Sequence, residues 1–381
     1  MLKKLVEKIG IDRSEIKGFV IKFIDFAKLQ KHKNVDFEQR GEVEHTLEDG
    51  NSFVKLRIKD NVWFGTFFAG IRKRNGGYVL DAYMDITIGD KEIGNLNNVS
   101  VEEYKSRIKL ICGYLYEEYG VLVDGTNLRF KKMEINCTFE IRQEFYKYHR
   151  ALGLMMYNLP DTYEKITEVK KKNKKNISVE SETFYRGNSC MQIKIYDKKR
   201  HLKDVGKCVI DENIMRIEIV LKNSPKIKEV FETTLIREIT DDMVTDYYIE
   251  QFRKLFQIKY EKWRRDNGKL LRQMIQSHKN KSWKNWQRDM LNECRNLELQ
   301  NRVPIILEIE DLLEQVKVLE KGGHYSRVEP AILKKCEEND VYLQQDSKKI
   351  EEIVNKVNLI YDTYINAKNS IKKSTTSGEG I

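Results

Sequence analysis

The chain has 381 residues, of which 40% are hydrophobic and 34% charged, enough for a hydrophobic core beneath a highly charged surface in two or three domains. Its net charge of +10 favours a polyanionic partner, with nucleic acid first and an anionic membrane surface second. The same excess is also typical of a lysine-rich surface that serves solubility alone, so composition leaves both interpretations open.

Zinc chemistry, export and membrane insertion are not indicated by the sequence. The six cysteines form no CxxC or Cys/His cluster, so a zinc site is not expected. Their scatter, and an N-terminus whose apolar pattern is interrupted early by charges, favour reduced thiols and a cytoplasmic location. No run of about 18 apolar residues occurs, so we expect no spanning segment and no membrane partner.

The first hundred residues are typical of β-structure. The stretches "EIKGFVIKFIDF", "FVKLRIKD" and "VWFGTFFAGIRKR" alternate apolar and polar residues or are dense in β-branched and aromatic ones. Residues 100–120 are then predicted to form a helix. Ser100 can cap this helix, Glu103 can complete a capping box, and Gly120 can end it.

Beyond this helix the pattern returns to strands and later becomes helical throughout. We predict a strand at 128–141, a helix at 143–158, and further strands at 181–197 and 212–223. From residue 227 onward the apolar spacing is helical, for example in "VPIILEIEDLLEQVKVLEK" (303–321).

The predicted fold class is α+β: an antiparallel sheet with helices on one face, followed by a helical C-terminal region. We place a β-rich domain at 1–225, in which 1–100 either completes the sheet or forms a companion part. The helical region is placed at 226–367 and a disordered tail at 368–381.

Three of the predicted strands share one design, with an apolar face and a polar face that carries charges. Because alternate side chains of a strand point to opposite faces, Glu134 and Glu218 lie on the polar faces of their strands. Tyr196 lies likewise on the polar face of "CMQIKIYDKK", between Lys194 and Lys198. If the three strands belong to one sheet, the two carboxylates and the tyrosine converge on one surface.

The pair Glu134 and Glu218 predicts a cation site, because neighbouring carboxylates repel each other unless a cation lies between them. Carboxylate oxygens prefer hard divalent ions, so Mg²⁺ or Mn²⁺ is the expected cofactor. A tyrosine beside such an ion and beside lysines would have its phenolate favoured, as a nucleophile requires. Taken singly, however, each carboxylate is also typical of a solvent-facing position, and Tyr196 is typical of cross-strand packing.

The segment 185–204, "YRGNSCMQIKIYDKKRHLKD", resembles the tyrosine motif of rolling-circle replication initiators of small Gram-positive plasmids and of related endonucleases of filamentous phages. That motif is an aromatic-x-Gly segment, a strand, and then YDK or YNK with further charges, as in "YRG" and "IKIYDKKRHLKD" here. The family's R-hydrophobic-E strand is matched by "MRIEIVLK", with Arg216 and Glu218. Its R-x-[DE]-hydrophobic strand is matched loosely by "KKMEINCTF", with Glu134. The resemblance covers about 125–225.

This resemblance implies a site-specific DNA nickase of a plasmid or phage-like element, with Tyr196 as the nucleophile and Glu134 and Glu218 as ligands of the divalent ion. Attack would leave a 5′-phosphotyrosyl link and a free 3′-OH. The implied partners are origin DNA, single-stranded or extruded at the nick, and then the host helicase and polymerase. The cations expected to hold the phosphates are Lys194, Lys198, Lys199, Arg200 and Arg216.

The sequence departs from the wider HUH class, which is named for two histidines flanking one hydrophobic residue. None of the six histidines has that spacing, so the metal site would be formed largely by carboxylates or would include a distant histidine such as His149 or His201.

Two alternative functions stay open at this point. One is a non-catalytic DNA-binding protein in which Tyr196 is merely packed, and the other is a relaxase that uses the same chemistry.

Overall fold

The computed structural model describes residues 7–40, 53–60, 64–74, 77–80, 83–87, 96, 98–157, 159, 183–204, 210–262, 265, 306–307, 330, 334 and 342–376. Within these residues the chain is α+β, as predicted, with a mostly antiparallel sheet, helices and a long helix near the C-terminus. The chain divides into two compact units. The first comprises Met1–Glu140, Glu164–Ile249 and Leu359–Ile381, and the second comprises Ile141–Tyr163 and Glu250–Asn358.

The first unit contains the large sheet. Its strands are β1 (Ile9–Lys17), β2 (Val20–Ile24), β3 (Val35–Arg40), β4 (Phe53–Lys59), β5 (Thr66–Arg74), β6 (Gly77–Leu80), β7 (Tyr83–Thr87), β8 (Val121–Asp124), β9 (Arg129–Glu140), β10 (Thr183–Gly187), β11 (Met191–Asp197) and β12 (Ile214–Leu221). Among the described residues, ten of them form one antiparallel sheet in the order β10-β11-β12-β9-β1-β7-β5-β4-β3, with β6 paired to β5. Strands β2 and β8 pair with each other separately. The three strands predicted to carry polar faces, β9, β11 and β12, are therefore neighbours.

Helices lie between these strands and after them. They are α1 (Phe26–Leu29), α2 (Val101–Tyr119), α3 (His149–Tyr157), α4 (Lys198–Asp204), α5 (Ser224–Phe231), α6 (Asp241–Phe252) and α7 (Gln344–Thr376), with 3-10 turns at Phe145–Tyr148 and Ile236–Glu238 and a π-helical turn at Arg253–Gln257. The predicted helix after residue 100 is confirmed as α2. Ser100 and Glu103 form the capping box, and Gly120 ends the helix with a φ of 68°, a left-handed conformation that suits glycine.

The apolar face of the sheet forms the core of the first unit. Met133, Ile135, Ile193 and Ile217 are fully buried there. Helix α6 packs on this face. The contact that shows this is a hydrogen bond of 3.4 Å from the hydroxyl of Tyr247 to Met191 Sδ. A helix therefore covers the face that the alternation marked as apolar, and the polar face lies opposite it.

The second unit contains α3, the first part of α7, and the short parallel pair of β13 (Ile306–Leu307) and β14 (Tyr342–Leu343). Ile306–Leu307 falls inside the stretch 303–321, whose apolar spacing predicted helical structure, and these two residues form a strand instead. Here two apolar neighbours pair with another strand instead of continuing a helical face. Residues 266–305 lie outside the described residues, and the helical prediction stays untested there.

The C-terminal helix is longer than predicted. Helix α7 runs to Thr376 and so includes residues 368–376, which were expected to belong to a disordered tail. Lys368 forms an ion pair with Asp242 over 2.6 Å, a contact that composition alone could not indicate. None of the described helices is both long and apolar enough to cross a membrane.

Candidate active site

Strand pairing brings the three polar faces onto one surface. Lys194 and Tyr196 of β11 lie opposite Glu218 and Arg216 of β12. Strand β9 pairs with the other edge of β12. It places Glu134 on the same face as Glu218 and diagonally across from it, since Glu134 lies opposite Val220. The structure therefore brings together the tyrosine and both carboxylates that the sequence singled out.

Tyr196 is partly exposed, and its hydroxyl is held by a carboxylate. It donates a hydrogen bond to Glu218 Oε1 over 2.7 Å, while its ring meets that of His201 edge to face at 5.7 Å between centroids. Burial, and after it the charge of Glu218, raises the pKa of Tyr196 well above its ordinary value. The side chains around Tyr196 therefore favour its neutral hydroxyl. The prediction that a divalent ion beside it favours the phenolate stays a prediction.

Glu134 and Glu218 are not solvent-facing, since they are only 5% and 3% exposed. Lys194 lies between them, with its Nζ 2.9 Å from Glu218 Oε2 and 3.3 Å from Glu134 Oε1. Lys132 gives Glu134 a second partner at 2.8 Å. Burial alone would raise the pKa of Glu218, but the charges of Lys194 and Arg216 outweigh it and lower that pKa. Glu218 is therefore an ionised carboxylate at neutral pH.

Ammonium groups contact one oxygen of each carboxylate where a divalent ion was expected. Lys132 and Lys194 contact Glu134 Oε1, and Lys194 also contacts Glu218 Oε2. Across the described part of the chain, no three His, Cys, Asp or Glu side chains are grouped so as to hold a metal ion. His201 contacts the ring of Tyr196, and His149 belongs to the second unit. The cation that must lie between Glu134 and Glu218 is supplied here by the protein itself.

Arg216 is fully buried beside Tyr196 and is the centre of a polar network. Its Nη1 donates to Asp12 Oδ2 over 2.6 Å and its Nε to Thr138 Oγ1 over 2.7 Å. Its Nη2 donates to the carbonyl of Leu96 over 2.9 Å. Arg216 therefore has no exposed surface for the phosphate that it was predicted to hold.

Asp12 is the residue of this network that sequence reasoning missed. Ile11 of β1 lies opposite Ile135 on the apolar face of β9, so the next residue, Asp12, points to the polar face. The alternation of "IGID" could have indicated this side. Only the pairing of β1 with β9 could show that Asp12 shares a surface with Arg216.

Lys198 also differs from its prediction. Strand β11 ends at Asp197, and Lys198 is the first residue of α4 and only 2% exposed, so it does not line the strand's polar face beside Tyr196. Lys199 and Arg200, which follow it on α4, are partly exposed. Of the five cations predicted to hold phosphates, Lys194, Lys199 and Arg200 are accessible, while Lys198 and Arg216 are buried.

The buried ammonium of Lys198 predicts a pH-dependent stability. Burial, and next the charge of Arg216, lowers the pKa of Lys198 from 10.5 to about 7, against the opposing effects of Asp12 and Glu218. Between these two values the unfolded chain binds more protons than the folded one, so stability should rise with pH from about 7 to about 10.5. Lys198→Met should flatten this rise and be more stable than wild type near pH 7, by an amount on the order of a few kcal/mol.

Urea unfolding of both proteins at several pH values would measure this difference. Lys199→Met, which changes the partly exposed neighbour on the same helix, is the control and should keep the wild-type rise. If Lys198→Met keeps it as well, the buried lysine does not titrate in the predicted range.

No protein-family model matches the chain, and no curated protein is significantly similar to it. The functional proposal therefore depends on the geometry of the polar face and on the motifs in the sequence.

Proposed function

We propose that this chain is a replication initiator of a plasmid or phage-like element, which nicks origin DNA through Tyr196 in the cytoplasm of its host. The observation that carries the proposal is the hydrogen bond of 2.7 Å from the Tyr196 hydroxyl to Glu218. It holds a nucleophile within reach of a proton acceptor. The surface around it also presents cations, as binding of a phosphodiester requires.

The order of the strands supports the same proposal. The strand with the YDK motif, β11, pairs directly with β12, which carries the R-hydrophobic-E motif, and β9 with Glu134 follows next. The three motifs that resemble those of rolling-circle initiators are thus parts of one surface. We also propose that the sheet carrying these motifs has the fold of HUH-type replication initiators, although the chain lacks their pair of histidines.

The nicking step follows from the positions of the side chains. The oxygen of Tyr196 attacks the phosphorus, its proton passes to Glu218, and the bond to the 3′ oxygen breaks. The 3′ oxygen takes up a proton from water, and the hydroxide so formed accepts the proton held by Glu218. One phosphodiester is thus exchanged for another, and Glu218 ends ionised. The products are a 5′-phosphotyrosyl link and a free 3′-OH, which the host polymerase can extend once the helicase has opened the duplex.

The protonation states of the site make proton transfer part of the attack. The pKa of Tyr196 is raised by burial and by the charge of Glu218, whereas that of Glu218 is lowered by its cations despite burial. A free phenolate therefore does not accumulate before the phosphate arrives. Transfer of the proton to Glu218 becomes favourable as the phenolic oxygen bonds to phosphorus, which is general-base catalysis.

Three accessible cations are placed to hold the DNA backbone. Lys194 lies on the same strand face as Tyr196, and Lys199 and Arg200 are on α4 immediately after it. Such contacts would position the scissile phosphate without reading base sequence. A single-stranded or extruded segment is the proposed substrate, because its phosphate can approach the sheet surface.

Formation of a covalent adduct is the test of this proposal. Single-stranded oligonucleotides tiled across the DNA element that encodes the chain, each labelled on the 3′ side of its possible cleavage points, would be incubated with the protein in Mg²⁺, in Mn²⁺ and in EDTA. We expect one tile to give a labelled band that migrates with the denatured protein. If no tile does so in any of the three buffers, the nickase proposal is wrong, and binding without adduct would identify a non-catalytic DNA-binding protein.

A further inference from the structure

The contacts of Lys194 are unusual for a strand lysine, because its ammonium joins two buried carboxylates. Glu218 is its direct neighbour across β11 and β12, and Glu134 is reached across the next strand. The side chain of Lys194 is 19% exposed, while those of Glu134 and Glu218 are 6% and 4% exposed. The bridging lysine is therefore more exposed than either carboxylate that it contacts.

The charge balance of this group is complete without an added ion. Lys194 and Lys132 bring two positive charges to the two carboxylates, and both ammonium groups contact Glu134 Oε1. Of these two lysines, Lys194 contacts both acids. The repulsion between Glu134 and Glu218 is thus relieved by one side chain, at the place where the carboxylates led us to expect a divalent ion.

Lys194 is also placed next to the reacting hydroxyl. It contacts Oε2 of Glu218, and Tyr196 donates to Oε1 of the same carboxylate. An ammonium has three N–H donors, and the two carboxylates account for two of them. The third can be donated to an oxygen of a phosphate that lies within reach of Tyr196.

We propose that Lys194 is the built-in cation of this site, holding the position between Glu134 and Glu218 that a divalent ion would otherwise take and binding the phosphate that Tyr196 attacks. The binding of phosphate by Lys194 rests on the proposed nicking function. The placement of its ammonium between Glu134 and Glu218 does not. The ammonium stabilises the negative charge that grows on the phosphate oxygens during attack. Nicking through Tyr196 then needs no added divalent ion.

The first experiment measures Mn²⁺ binding by calorimetry without DNA. Wild type is expected to show no saturable binding that depends on Glu218. Lys194→Met removes the bridging charge and should gain saturable Mn²⁺ binding. That binding should be at least roughly tenfold, about 1.4 kcal/mol, tighter than any residual binding by wild type. Lys132→Met, which removes an ammonium that contacts only Glu134, is the matched control and should not gain this binding. Lys194→Arg keeps the charge and should behave as wild type.

Two results would overturn the assignment. One is Mn²⁺ binding by wild type that is lost in Glu218→Gln, and the other is unchanged Mn²⁺ binding in Lys194→Met, provided that circular dichroism shows a folded variant. If Lys194→Met does not fold, the wild-type and Glu218→Gln titrations still decide the first point.

The second experiment repeats the adduct assay in EDTA. Wild type should form the adduct there, and Lys194→Met should lose most of it. Lys131→Met, which removes a surface lysine of β9 that pairs with Glu15, should keep it. An adduct that forms only with Mn²⁺ would contradict the built-in cation but leave the nickase proposal intact. Conversely, the Mn²⁺ titrations could give the expected results while no adduct forms. That outcome would support Lys194 as the built-in cation and reject nicking, so each proposal can fail without the other.

Discussion

Replacement of Arg216 with methionine is expected to lower the free energy of unfolding by roughly 3–5 kcal/mol, because it leaves a buried carboxylate without its partner. Arg216 is fully buried and pairs with Asp12 at 2.6 Å. Its other donors serve Thr138 and the carbonyl of Leu96, which would lose a hydrogen bond each. Urea unfolding of the variant and wild type at neutral pH measures the difference.

Two further variants separate the buried pair from a general effect of charge. Lys131→Met removes a cation from the same sheet whose partner, Glu15, lies 3.0 Å away at the surface, and it should cost less than about 1 kcal/mol. Combining Arg216→Met with Asp12→Asn should recover part of the loss, with a coupling energy of about 0.5–3 kcal/mol. Equal losses in Arg216→Met and Lys131→Met would show that the ion pair with Asp12 does not stabilise the site.

Tyr196→Phe is expected to abolish the covalent protein–DNA adduct while the protein stays folded and continues to bind the oligonucleotide. The substitution removes the oxygen that would attack phosphorus and keeps the ring that meets His201. The lost hydrogen bond has an ionised acceptor, Glu218, so the stability cost should be about 1.5–3 kcal/mol. Denaturing gels of labelled DNA follow the adduct, and thermal unfolding follows the fold.

Tyr185→Phe is the matched control for the nucleophile. Tyr185 lies on β10 opposite Lys194, so it borders the same surface and carries the same functional group. Its variant should form the adduct as wild type does. An adduct band that persists in Tyr196→Phe would assign the nucleophile to another residue, with Tyr185 the first to be tested.

The features that local sequence determined were those whose causes lie within a few residues. Helix α2 begins at a capping box of Ser100 and Glu103 and ends at Gly120, as predicted, because capping depends on neighbours three or four residues apart. The two faces of β9, β11 and β12 were likewise predictable, since a strand repeats every two residues. The alternation thus placed Glu134, Glu218 and Tyr196 on polar faces before any contact was known.

Only the tertiary structure decided what those faces meet. Periodicity states which side a residue points to, but not which strand lies beside it or what buries it. Asp12 and Arg216 are 204 residues apart in sequence, and they meet because β1 pairs with β9 and β9 with β12. Lys198 leaves the strand because helix α4 begins there, and burial follows from that change of direction. The same pairing places Lys194 between two carboxylates, where the spacing of acids alone had indicated a divalent ion.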